Sequence, residues 1–133
     1  MTTIKSRKAK GRKLQNWVRD SLRGLLPDLT SNEIRCAIMG ERGADIKLSK
    51  RAYSIFPYDI ECKNDEKWKK VYDAYDQANN HGSLNPLVFI KMNNKKPLVI
   101  LSAEKFFELH SSVELTNSWR VKYDYLNEKN TEI

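Results

Sequence analysis

Cysteine is scarce in this 133-residue chain: Cys36 and Cys62 are the only two, and neither lies in a Cys-x-x-Cys or Cys/His cluster. That excludes a disulfide framework and a structural zinc, and it points to a reducing, cytoplasmic setting. No apolar run approaches the ~20 residues that a membrane helix requires, so no membrane partner is expected. The basic N-terminus has no apolar stretch behind it, which excludes a secretory signal. Histidine is limited to His81 and His110, and none of Ser49, Ser54 or Ser102 has a histidine at a suggestive position. A serine-histidine nucleophile is therefore not expected. There is no internal repeat and no low-complexity segment beyond the basic start.

What is present is charge, unevenly placed. Residues 1–24 hold eight basic groups (Lys5, Arg7, Lys8, Lys10, Arg12, Lys13, Arg19, Arg23) against one acid, Asp20. The remaining chain has 16 of each sign, so the whole net charge of +7 belongs to one terminal segment. Such a block suits a polyanion, whose condensed counterions are released on binding. The plain alternative is a solubilising tail.

The length suits one domain, 1–133, with a basic flexible arm over 1–8, a core over 9–112 and a C-terminal extension over 113–133. Leu14, Trp17, Val18, Leu22 and Leu25 recur at helical spacing, which predicts a helix over about 9–25 stopped by Pro27. Arg12, Gln15 and Arg19 form a second stripe beside the apolar one. Thr30 with Glu33 resembles a capping box, yet Ile34, Cys36 and Ile38 alternate, which predicts a turn leading into a strand that ends near Met39. Asp45 to Leu48 and Asp59 to Lys63 alternate polar and apolar, as half-buried strands do. Trp68, Val71, Tyr72, Tyr75 and Ala78 predict a helix over about 65–80, with its aromatics in the core. Leu87 to Met92 is continuously apolar, the pattern of a strand buried on both faces. Leu98 to Leu101 predicts another strand, and Ser102 caps a final helix carrying Phe106, Phe107 and Leu109. His81 and His110 fall at helix C-termini, where the dipole favours them. The order is α/β, a mixed sheet of about five strands flanked by helices. The stretch from Trp119 to Tyr125 has no clean period.

Chemistry concentrates in Gly43-Ala44-Asp45-Ile46 and Ile60-Glu61-Cys62-Lys63-Asn64. On a strand, Glu61 and Lys63 share one face while Ile60 and Cys62 face the core. If the preceding strand pairs alongside, Asp45 reaches the same face. Two carboxylates with retained waters are what Mg²⁺ prefers beside a phosphate. A metal there stabilises charge and acidifies a bound water. Lys63 is placed to orient or deprotonate that water. A bare Glu-x-Lys is ordinarily a solvated surface pair; its Phe56-Pro57 lead-in and the Asp45 strand behind Gly40 and Gly43 set this one apart. Glu41 is read as a turn residue.

Taken together, Asp45, Glu61-Cys62-Lys63 and the flanking helices resemble the PD-(D/E)XK nuclease superfamily. The leading helix, with Lys10-Gly11 and Gln15, is similar to the archaeal and phage-type Holliday junction resolvases. The resemblance covers about residues 8–102. It implies a restriction-endonuclease-like core in a phage or prokaryotic cytoplasm, acting in DNA recombination. It implies further that Asp45, Glu61 and the Cys62 carbonyl bind Mg²⁺, with Mn²⁺ able to substitute, and that Lys63 is the catalytic lysine. Gln77 resembles a glutamine found near the active site in several branches. Lys8, Lys10, Arg12, Lys13 and Arg19 are the expected DNA contacts, with branched or four-way DNA as substrate and a homodimer, through Phe106, Phe107 and 119–125, as the working form. Gln15 stands where resolvases carry a glutamate, which removes a charge from a second metal site, and Ala44 stands where proline is common. The alternatives are a general or nicking nuclease, or a non-catalytic nucleic-acid-binding module of the same fold.

Overall fold

The computed structural model describes residues 3–111 and shows a mixed α/β chain. Among the described residues there are four α-helices and two antiparallel two-stranded sheets. The chain divides into two compact units, residues 1–66 and 67–133. Among the described residues, no helix is long and apolar enough to cross a membrane.

The first unit opens with α1, Ile4–Leu25. It begins earlier than the periodicity predicts, because Thr3 caps it by accepting the Ser6 N–H at 3.1 Å. Residues 4–8, expected as a flexible arm, are thus its first turn. The helix stops two residues before Pro27, with Leu26 already outside the α region, as the residue ahead of a proline prefers. Arg23 fastens the helix end to the turn and strand beyond it, donating to the Ile34 carbonyl at 3.0 Å and the Ser31 carbonyl at 2.9 Å. A single 3₁₀ turn, Ser31–Glu33, leads into β1, Ile34–Cys36, so turn and strand are both present and the strand ends before Met39.

Strand β1 pairs antiparallel with β2, Ile46–Leu48, setting Ile34 opposite Leu48 and Cys36 opposite Ile46. Helix α1 lies against both strands. Leu22, Ile34, Ile46, Ala52 and Phe56 form the buried core. Each large member stabilises the fold by about 1.5–3 kcal/mol through burial. Helix α2, Lys50–Ile55, is short and leaves no trace in the apolar pattern; its signal is Ser49, which accepts the Ala52 N–H at 3.1 Å. Glu33 braces it, taking the Thr30 N–H at 2.9 Å on one oxygen and the Ser49 hydroxyl at 3.1 Å on the other. The Thr30 N–H, ahead of Ser49 and Arg51, holds the Glu33 carboxyl below its usual range.

In the second unit, α3 is Lys69–Asn79, preceded by a 3₁₀ turn, Glu66–Trp68. Its half-buried stripe is Val71, Ala74, Tyr75 and Ala78, while Trp68 and Tyr72 are exposed. The expected aromatic core is therefore corrected, since Tyr72 sits about 100° round the helix from Val71. Strands β3, Val88–Ile90, and β4, Leu98–Ile100, form a hairpin. Strand β3 is not buried on both faces as expected: Val88 and Ile90 are half-buried on one face, and Phe89 is 72 % exposed on the other. Helix α4, Ala103–Ser111, begins after Ser102, which accepts the Lys105 N–H at 3.1 Å. There Phe106 touches both Phe107 and His110, with ring centroids 5.9 and 4.7 Å apart. The stretch from Trp119 to Tyr125 lies outside the described residues.

Candidate functional site

Asp45 is the knot of the first unit. Its carbonyl accepts the Ala37 N–H at 2.8 Å, closing the loop 38–44 that precedes β2. Its own N–H donates to the Ile60 carbonyl at 2.8 Å, and its carboxylate Oδ2 accepts the Cys62 N–H at 2.8 Å. The segment Asp59 to Lys63 is therefore not the laddered strand the alternation predicts. Where a carbonyl of β2 would accept from Cys62 in a ladder, the Asp45 side chain does so instead. The alternation itself survives: Ile60 and Cys62 are half-buried, while Asp59, Glu61 and Lys63 are exposed.

The two bonds at Ile60 and Cys62 bracket Glu61, which fixes Asp45 beside it. Glu61 Oε1 meets Lys63 Nζ at 3.3 Å, and both side chains are largely in solvent. In that setting the ion pair adds little stability. Three of the expected residues, Asp45, Glu61 and Lys63, thus belong to one local cluster around Cys62. Burial first, then the negative field of Asp45, Cys36 and Glu61, pushes the Cys62 thiol up to about 11. It therefore remains protonated at neutral pH.

The donor set fits a hard divalent cation. Asp45 uses Oδ2 for Cys62 and leaves Oδ1, Glu61 is exposed, and the Cys62 carbonyl belongs to the residue between Glu61 and Lys63. Among the described residues, no three His, Cys, Asp or Glu side chains group as a metal site. An ion at these residues would have two carboxylates, main chain and water as its ligands. Glu41 is engaged elsewhere: Arg35 grips it through two bonds of 2.9 Å and the Ile38 N–H adds a third of 3.0 Å. Those bonds, Arg35 first, pull its carboxyl down to about 2. Sequence reasoning missed this clamp, although Arg35 and Lys47 face each other across β1 and β2. Two like charges so placed need an anion between them.

Gln15 is half-buried on α1 and is not hydrogen-bonded to Asp45, Glu61 or Lys63. Gln77 belongs to the second unit, exposed on α3. Lys8, Arg12 and Lys13 are exposed on α1, and Lys10 stands 3.8 Å from Glu66 with both side chains open to solvent. Arg19 is tied to Asp20 at 2.9 Å, so it is the least available of the expected DNA contacts. Against known proteins, the chain matches no family model, no curated protein and no solved structure.

Proposed function

We propose that this chain is a Mg²⁺-dependent endonuclease of the PD-(D/E)XK type that hydrolyses phosphodiester bonds in branched DNA. The observation that carries the reading is the bracketing of Glu61 by the two Asp45 bonds, with Lys63 on the same exposed face. The reading brings with it a mixed central sheet of about five strands and a twofold dimer, since a four-way junction requires two symmetric cuts.

Each residue has a task in that reaction. Asp45, Glu61 and the Cys62 carbonyl would hold the ion, and the Cys62 N–H fixes the Asp45 carboxylate beside Glu61. Bound there, Mg²⁺ supplies charge stabilisation on the phosphate and a water of lowered pKa. Lys63, 3.3 Å from Glu61 on the same exposed face, would orient the attacking water and offset negative charge as it develops. Gln15 adds an uncharged amide, which favours one ion over two. Lys8, Lys10, Arg12 and Lys13 supply sequence-independent phosphate contacts.

Incubating the protein with four-way, duplex and single-stranded DNA, in Mg²⁺, Mn²⁺ or EDTA, tests this directly. Cutting of the junction that EDTA abolishes and Mn²⁺ supports is the expected result. Binding without cutting in either metal would instead favour the non-catalytic module. Equal nicking of plain duplex would leave a general nuclease.

A further inference from the structure

The loop that Asp45 closes has an unusual tip. Ile38 is 72 % and Met39 92 % exposed, two adjacent large apolar side chains directed into solvent. They sit on a tight turn in which the Glu41 N–H donates to the Ile38 carbonyl at 2.9 Å. Gly40 takes φ +83° at the third position, as a type II turn demands, so Met39 occupies the corner. The tip is braced: the Glu41 carboxylate holds the Ile38 N–H and the Arg35 guanidinium, and Lys47 donates to the Arg42 carbonyl. Gly43, at φ +96°, leaves room for that ammonium, since a Cβ there would come within 2.8 Å of Lys47 Nζ. A loop merely bridging β1 and β2 needs neither the bracing nor the apolar corner.

We propose that Ile38 and Met39 form a wedge that enters an opened base step of branched DNA and so selects the branch point for the neighbouring Asp45 site. The inference rests on the nuclease reading and adds its substrate-selecting element. Apolar side chains of this kind, pushed between base steps, unstack them and kink the duplex. Unstacking costs least where the base stack is already discontinuous, as at the centre of a branch, so the wedge prefers branched DNA without reading any base edge. Burial against a base face removes the exposed apolar surface of Ile38 and Met39 from water. Arg42, exposed beside the tip, is the cation left to meet a flanking phosphate, because Arg35 is committed to Glu41. Insertion also demands a tip that does not fold back, which is what the Glu41 bonds provide.

The test uses the full chain in EDTA with a four-way junction carrying 2-aminopurine at the branch point. Wild type should raise the fluorescence on saturation, and Met39→Leu should retain the rise. The double variant Ile38→Ser, Met39→Ser should lose most of it and bind the junction roughly tenfold more weakly, the scale of one buried apolar side chain. Affinity for linear duplex, set by phosphate contacts, should stay within about twofold. Both side chains are exposed, so the melting temperature should hold. An unchanged fluorescence rise in the double variant, or an equal loss on junction and duplex, overturns the wedge. If wild type cuts the junction in Mg²⁺ but gives no rise, the wedge fails alone. If wild type binds no DNA, wedge and nuclease reading fall together.

Discussion

The two units of this chain use their apolar residues differently. Every buried residue among those described (Leu22, Ile34, Ile46, Ala52 and Phe56) lies in the first unit, and so does the Asp45 cluster. In the second unit, residues 67–111 contain none, and Leu84, Phe89, Met92 and Leu98 are all more than 60 % exposed. The difference teaches where rigidity comes from. The catalytic role proposed for Asp45 needs a fixed position, and β1 and β2, packed against α1, supply one. The β3–β4 hairpin, which among the described residues buries no side chain fully, has only the marginal stability of a two-stranded pair to draw on.

The largest effects should track that division. Leu22→Ala opens a cavity under α1 and should cost about 2–5 kcal/mol in urea unfolding. Phe89→Ser or Leu98→Ser, on exposed hairpin positions, should change stability by less than about 0.5 kcal/mol. Equal costs would break the comparison and mean that the hairpin is covered in solution.

Chemistry sharpens the contrast next. Asp45→Asn, Glu61→Gln and Lys63→Ala should each lower the cleavage rate by ~10²–10³ while leaving DNA affinity largely intact. Gln77→Ala, in the second unit, should cost far less. Near-normal turnover in any of the three, with a native circular-dichroism spectrum, would sink the assignment.

Legibility in the sequence divides along the same line. Helix α1 and the β1 and β2 alternation are readable because local period and core burial agree there; of the site, alternation shows only that Glu61 and Lys63 share an exposed side. The Asp59 to Lys63 segment reads as a laddered strand and is not one, because alternation reports which side a residue faces, not which atom accepts its N–H. That the acceptor is the Asp45 side chain is a long-range feature of the fold, absent from the local pattern. In the second unit a continuous apolar run suggests burial on both faces, yet hydrophobicity states what a strand would gain from cover and not whether cover exists. The Arg35–Glu41 clamp joins residues six apart across a turn, and its one signal, the facing pair Arg35 and Lys47, emerges only once the β1–β2 register is known.

That clamp yields a smaller, pH-dependent effect. Its partners hold the Glu41 carboxyl near 2, below its usual 4.5, so the folded state binds that proton more weakly than the unfolded chain. The contribution is therefore fully present above about pH 4.5 and is lost as pH falls toward 2. Glu41→Gln should lower the melting temperature at pH 7, and the gap from wild type should narrow below pH 4.5. A gap that is constant with pH would mean that the side chain acts by shape and not by charge.

The smallest effect per residue concerns the proposed phosphate binding, and it separates the two units as its carrier. Residues 1–66 hold 14 basic and 9 acidic groups, against 10 and 8 in 67–133. Much of the first unit's cationic capacity is already spent: Arg19 on Asp20, Arg35 on Glu41, and Arg23 on backbone carbonyls. Lys8, Arg12 and Lys13 stay exposed on α1, and the Lys10–Glu66 pair, long and solvated, yields easily to a phosphate. The second unit offers its own cluster, Lys91, Lys95 and Lys96 around the β3–β4 turn, beside the apolar side chains of Ile90, Met92 and Leu98. On duplex DNA, every cation removed from a phosphate should flatten the slope of log K against log salt by ~0.9. Changing Lys8, Lys10, Arg12 and Lys13 to glutamine should therefore flatten it by up to about four such steps. The same change at the three hairpin lysines should move it by less than about one step. A salt titration of duplex binding by the two variants measures both slopes on one DNA. If the hairpin variant shows the larger loss, the polyanion runs along the second unit, and the basic stripe of α1 serves solubility.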